Sequence, residues 1–124
     1  YTKVIELDPD FSNAYINRGF IKDELKDYYG AIADYTKVIE LDPDFSNAYI
    51  NRGFIKDELK DYYGAIADYT KVIELDPDFS NAYINRAISK ENIGDFNGAC
   101  ADRKKAARLG DADAAEWLAD DCNY

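Results

Sequence analysis

The chain has 124 residues, 47% of them hydrophobic, which suffices for one packed domain and argues against disorder. Its 25 Asp and Glu against 15 Lys and Arg leave a net charge of -10, which repels phosphate backbones and anionic membranes and so speaks against nucleic-acid and membrane partners. Histidine is absent, which removes the commonest general base and metal ligand, and the two cysteines neither form a disulfide scaffold nor match a zinc spacing.

A shift of 34 residues lays Tyr1–Arg52 on Tyr35–Arg86 without a mismatch, so the chain is a tandem array. Repeats of roughly 20–50 residues are supersecondary units too small to bury their own apolar faces, and neighbours supply the core. The whole chain, residues 1–124, is therefore read as one elongated domain. Its first residues, 1–10, read as the back half of a helix B, with Val4, Ile5 and Leu7 on its apolar side. Opening inside a repeat and lacking methionine, the chain is expected to be an excerpt of a longer array or a processed product.

The first full unit spans residues 11–44. Its segment FSNAYINRGFIKDEL predicts a helix A capped by Asp10, with Ala14, Tyr15, Gly19, Ile21 and Leu25 near helical spacing. Asp27 is a candidate cap for helix B, YYGAIADYTKVIEL, whose Tyr28, Ala31, Ile32, Tyr35, Val38 and Ile39 form an apolar stripe. Between the helices Lys26 occupies the position expected to be left-handed, as does Lys60 in the second unit, whereas the third unit has Gly94 there. Asp42-Pro43 stops helix B, because proline disfavours a helical conformation at the preceding residue. The second unit, 45–78, repeats this wording, and the third, 79–110, diverges in its second half while keeping Ala87, Phe96, Ala99 and Leu109 at apolar or small positions. Residues 111–124 predict a capping helix, with Asp111 as its cap and Ala114, Ala115, Trp117 and Leu118 covering the end of the stack.

This 34-residue helical hairpin resembles the tetratricopeptide repeat, whose pattern is W-x2-L-G-x2-Y, A-x3-F, P. Tyr15 stands at the tryptophan position, Gly19 matches the glycine, Ala31 and Tyr35 match the A-x3-F pair, and Pro43 matches the proline. The second unit repeats these as Tyr49, Gly53, Ala65, Tyr69 and Pro77. Arg18 and Lys22 depart from the usual Leu and Tyr-like residues; their aliphatic stems can pack while Asp34 or Glu24 takes the charge. The resemblance implies an all-α, right-handed superhelical solenoid of antiparallel A/B hairpins, with a concave groove lined by helix A.

The groove stripe expected from that resemblance is Asn13, Ile16, Asn17, Phe20, Asp23 and Glu24 in the first unit. It recurs as Asn47, Ile50, Asn51, Phe54, Asp57 and Glu58, and then as Asn81, Ile84, Asn85, Ile88, Glu91 and Asn92. Family members that hold a C-terminal carboxylate use an Asn matching Asn17, Asn51 or Asn85 beside Lys and Arg; here Asn, Ile and Phe fill the basic positions, so that recognition is not carried over. Asn amides suit a peptide backbone, Ile and Phe suit apolar side chains, and the acidic edge suits Lys or Arg.

Cys100 and Cys122 are expected close together across the turn at Gly110, either as thiols kept reduced inside the cell or as a candidate disulfide. The basic run Arg103, Lys104, Lys105, Arg108 is read as complementing a helix C-terminus. Identity over 52 positions, surface included, implies a very recent duplication or engineering from one natural repeat. The functional expectation is a non-catalytic scaffold without a cofactor, binding a protein or an extended basic-apolar peptide; the alternative is a structural spacer or self-assembling solenoid. Residues 1–25 are expected to mediate end-to-end self-association. Without a signal peptide or a membrane span in view, a cytoplasmic location is expected.

Overall fold

The computed structural model describes residues 9–111, which fold into six helices and no strand. These are α1 (Pro9–Glu24), α2 (Tyr28–Leu41), α3 (Ser46–Glu58), α4 (Tyr62–Leu75), α5 (Ser80–Asn92) and α6 (Phe96–Arg108). Helices α1, α3 and α5 are A helices; α2, α4 and α6 are B helices. Each packs on the next in the chain, giving an all-α helical repeat solenoid. Among the described residues no helix is long and apolar enough to cross a membrane. Residues 1–8 of the partial helix expected over 1–10, residues 112–124 of the capping helix expected over 111–124, and with them Trp117 and Cys122, lie outside the described residues.

Local chemistry sets each hairpin turn. Asp27, Asp61 and Asp95 cap the B helices, their carboxylates accepting from the backbone N–H of Gly30, Gly64 and Gly98 at 3.1, 3.1 and 2.9 Å. A Cβ at Gly30 would collide with the Asp27 carboxylate, so cap and glycine belong together. Lys26 and Lys60 are left-handed, at φ 61° and 63°, as Gly94 is at φ 83°. Asp27 N–H bonds Lys22 C=O, and Lys26 N–H bonds Asp23 C=O, closing the last turn of α1 in a Schellman arrangement.

The starts of the A helices depart from expectation. Helix α1 begins at Pro9, so Asp10 sits within its first turn rather than capping it. Helices α3 and α5 follow Phe45 and Phe79, neither of which makes a side-chain cap. Phe79 instead packs on the cluster of Tyr49, Val72 and Ala82, so an apolar anchor holds the start of α5.

The core consists of small residues facing aromatic ones. Ala31, Tyr35 and Ile55 form one buried cluster, Tyr49, Val72 and Ala82 a second, and Tyr83 with Ala106 a third. Tyr49 and Tyr83, at the tryptophan position, donate their hydroxyls to the C=O of Pro43 and Pro77 at 2.9 and 3.0 Å, which ties each A helix to the turn before it. Cys100 is also buried, at 7% exposure.

A carboxylate lies inside every hairpin. Asp34 accepts a two-pronged bond from Arg18, at 2.9 and 2.7 Å, and pairs with Lys22 Nζ at 3.3 Å. Asp68 receives Arg52 and Lys56 in the same way, and Asp102 receives Arg86 and Lys90. Burial alone would raise the Asp34 pKa, but the bonds from Arg18 and Lys22 outweigh it and hold the carboxyl below its usual range. Of the two candidates for pairing with Arg18 and Lys22, Asp34 is therefore the partner. A third Arg nitrogen reaches the preceding repeat: Arg52 Nη1 donates to Thr36 Oγ1 at 3.1 Å, and Arg86 Nη1 to Thr70 Oγ1 at 3.2 Å.

Asp57 is a second acceptor between helices, itself half-buried. Tyr69 on α4 and Ser89 on α5 donate hydroxyls to its two oxygens at 2.7 and 2.8 Å, linking three helices. Burial raises the Asp57 pKa, and the two hydroxyls offset that only in part. The Tyr69 ring lies against Gly53, where a Cβ would come within 2.7 Å of it. The third hairpin replaces all three partners together: Ala87, Arg103 and Glu91 stand where Gly53, Tyr69 and Asp57 stand one repeat earlier, and Arg103 donates to Glu91 at 2.7 Å. Arg103 is thus a hairpin residue, only 8% exposed, rather than part of a helix-end charge run; Lys105 and Arg108 do occupy the last turn of α6.

Three outcomes are expected. Lys60→Gly relieves the left-handed lysine and should stabilise the fold by about 1 kcal/mol, read as a raised Tm. Gly53→Ala should cost about 1–3 kcal/mol in denaturant unfolding, and adding Tyr69→Arg with Asp57→Glu should recover most of it. Because the folded-state pKa of Asp57 is raised, its contribution is most favourable when it is protonated and is lost as pH rises through that pKa. The stability of Asp57→Asn relative to the parent should therefore grow from about pH 4 to pH 7 in urea titrations.

Candidate functional site

The A helices present one recurring strip. On α3, Asn47, Phe54 and Glu58 are exposed and Asn51 is half-buried, at the 3–4-residue spacing of a single helix face. Helix α1 repeats it with Asn13, Asn17, Phe20 and Glu24, and α5 with Asn81, Asn85, Ile88 and Asn92. The apolar members stay open to solvent, Phe20 at 55% and Phe54 and Ile88 at 45% each. Phe54 is braced from behind by the Tyr69 ring, with centroids 6.0 Å apart and planes tilted by 60°. Asn92 folds back on its own helix, donating to Ile88 C=O at 3.1 Å.

Other members of the expected stripe are drawn inward. Ile16, Ile50 and Ile84 are half-buried and pack against the three core clusters. Asp57 is taken up by Tyr69 and Ser89, and Glu91 by Arg103; Asp23 is half-buried. Sequence reasoning missed Ser89, which is fully buried where the earlier repeats have Ile21 and Ile55. A polar residue replacing isoleucine at one repeat position was the available signal.

Charge on these helices is also committed. The Lys and Arg of α1, α3 and α5 are Arg18, Lys22, Arg52, Lys56, Arg86 and Lys90, and every one pairs with a buried Asp. The Arg guanidinium groups further stack over Tyr15, Tyr49 and Tyr83, at 5.2, 5.8 and 5.8 Å. The strip therefore offers amides and apolar side chains, with Glu24 and Glu58 as exposed acids at its edge.

A tetratricopeptide repeat family model matches residues 12–45 and again 46–79, and a second tetratricopeptide repeat model matches 68–101. No curated protein sequence matches the chain. Among solved structures the chain is similar to the first TPR of Spaghetti (RPAP3) bound to the HSP90 peptide SRMEEVD, with a TM-score of 0.80 at 22% identity, covering 90% of each chain. It is similar to the Arabidopsis OM64 TPR domain, with a TM-score of 0.77 at 26% identity over 85% of this chain and 88% of that one. MamA superimposes with a TM-score of 0.79 at 26% identity, over 92% of this chain and 67% of that one. With repeat models matched through most of its length, the chain belongs to the tetratricopeptide repeat family.

Proposed function

We propose that the protein is a non-catalytic interaction scaffold that holds an extended peptide along the strip of α1, α3 and α5. The observation that carries this reading is the recurrence of an exposed apolar side chain, Phe20, Phe54 and Ile88, at one position of three successive A helices. Each has Asn residues three and seven positions before it, so amide and apolar contacts alternate from repeat to repeat. Asn side chains supply both donors and acceptors to a peptide backbone, and Phe or Ile supplies apolar contact area.

The chemistry of the ligand follows from the commitment of the cations. The RPAP3 repeat domain binds an acidic peptide, SRMEEVD. In the present protein the Lys and Arg of the A helices neutralise Asp34, Asp68 and Asp102, so a carboxylate-rich tail would meet amides, phenyl rings and exposed acids. An apolar peptide with Lys or Arg fits that surface better.

Panning a random peptide library against the protein should enrich extended apolar sequences bearing basic residues. The triple variant Asn17→Ala, Asn51→Ala, Asn85→Ala should lose that enrichment at an unchanged Tm. A folded sample that enriches nothing would instead support a structural spacer.

A further inference from the structure

The strip on the A helices recurs at an interval set by how those helices pack. Asp57 on α3 and Ser89 on α5 have short side chains, and the 2.8 Å bond between them holds the two helices side by side. Ile16 of α1 likewise packs against the cluster that contains Ile55 of α3. Axes of packed helices lie roughly 8–10 Å apart. Phe20, Phe54 and Ile88, exposed at one position of successive A helices, therefore follow one another at about that interval.

That interval selects a backbone conformation. Three residues of polyproline II span about 9 Å and complete one turn, so every third side chain points the same way. A β-strand covers a similar distance in three residues, but its side chains alternate, and every second contact would face away from the strip. Polyproline II also makes no internal hydrogen bonds, which leaves its C=O and N–H groups open to amides, and Asn17, Asn51 and Asn85 stand about one helical turn before the three apolar side chains. Charge narrows the sequence further. Glu24 and Glu58 are exposed one turn beyond Phe20 and Phe54, while the Lys and Arg of the A helices are taken up by Asp34, Asp68 and Asp102.

Given peptide binding along this strip, as read above, we propose that its occupant is a polyproline-II segment with an apolar side chain at every third residue and a Lys or Arg in the triplets that face Glu24 and Glu58. Each triplet seats its apolar side chain against Phe20, Phe54 or Ile88. Its other two residues point to either side, one toward the Asn amides and one toward the acidic edge. Phe54 offers the firmest of the three contacts, because the Tyr69 ring braces it from behind. On α5, Asn92 stands where α1 and α3 have Glu24 and Glu58, so the triplet seated there needs no cation. A polyproline-II segment holds its conformation before it binds and so loses little entropy on docking.

The test is an anisotropy titration of the full chain, at physiological ionic strength, into labelled synthetic peptides. The probe is four copies of Leu-Pro-Lys. Its comparators are two copies, a scramble of the same residues that breaks the three-residue spacing, and six copies of Leu-Lys, whose leucines alternate as in a strand. The four-copy peptide should saturate and bind at least about tenfold more tightly than the two-copy and scrambled peptides, since one further seated leucine accounts for about that factor. Phe54→Ala and, separately, Ile88→Ala should weaken it about tenfold, with thermal unfolding of each variant confirming that it is folded. Glycine in place of the prolines should weaken binding, and Glu in place of Lys should abolish it. Equal affinity for the four-copy peptide and its scramble, or affinity that survives both Phe54→Ala and Ile88→Ala, would overturn the proposal. Preference for the Leu-Lys peptide, lost with Phe54→Ala, would also overturn it while leaving peptide binding along the strip intact. Saturation by none of the peptides would overturn it too, and an empty library selection besides would remove the reading beneath it.

Discussion

A carboxylate closed between two helices fixes the geometry of every hairpin. Asp34, Asp68 and Asp102 each sit nearly out of solvent on a B helix, and each gathers an Arg and a Lys placed one turn apart on the A helix before it. A buried acid is costly unless it is paired and fully bonded, and here two cations and a two-pronged guanidinium supply that. Net stability is not the main return from such an arrangement; register is. Sliding the A helix by a turn would leave the acid at most one of its two cations, so only one alignment of the two helices satisfies it fully. The remaining Arg nitrogen, bonded to Thr36 or Thr70, extends the same alignment to the preceding repeat.

That constraint also shapes function. Positions usually held by Leu and by a large aromatic carry Arg and Lys in this chain, and those side chains turn into the hairpin instead of toward a ligand. The face left over is polar but uncharged along its centre, with Asn amides and a solvent-exposed Phe or Ile in each repeat. On the reading proposed above, such a surface favours apolar, basic peptides over acidic tails because its cations are already paired.

The third hairpin shows how the design tolerates change. Replacing Tyr69 by Arg103 trades a ring that needs a bare glycine beneath it for a longer, slimmer side chain, so Ala87 fits where Gly53 was required. The acid opposite lengthens from Asp57 to Glu91 and exchanges a hydroxyl donor for an ion pair. Sequence drift within the repeat is therefore coupled: these residues touch, and each substitution makes sense only with the others.

Much of this protein was legible as text. The repeat length, the A/B hairpin, the caps at Asp27, Asp61 and Asp95 and the left-handed lysines are local or periodic signals, because a cap or a turn involves residues a few positions apart. Contacts across helices were not legible in the same way. The withdrawal of Asp57 into a three-helix bond, the burial of Ser89 and the hairpin role of Arg103 all depend on partners 12 or more residues away. The difference is plainest at Ile21 and Ile55, which share their sequence surroundings and differ in exposure from 55% to 1%. Sequence dictates that both lie on the same face of the same kind of helix, but burial is a property of what packs against that face, and only the tertiary structure decides that.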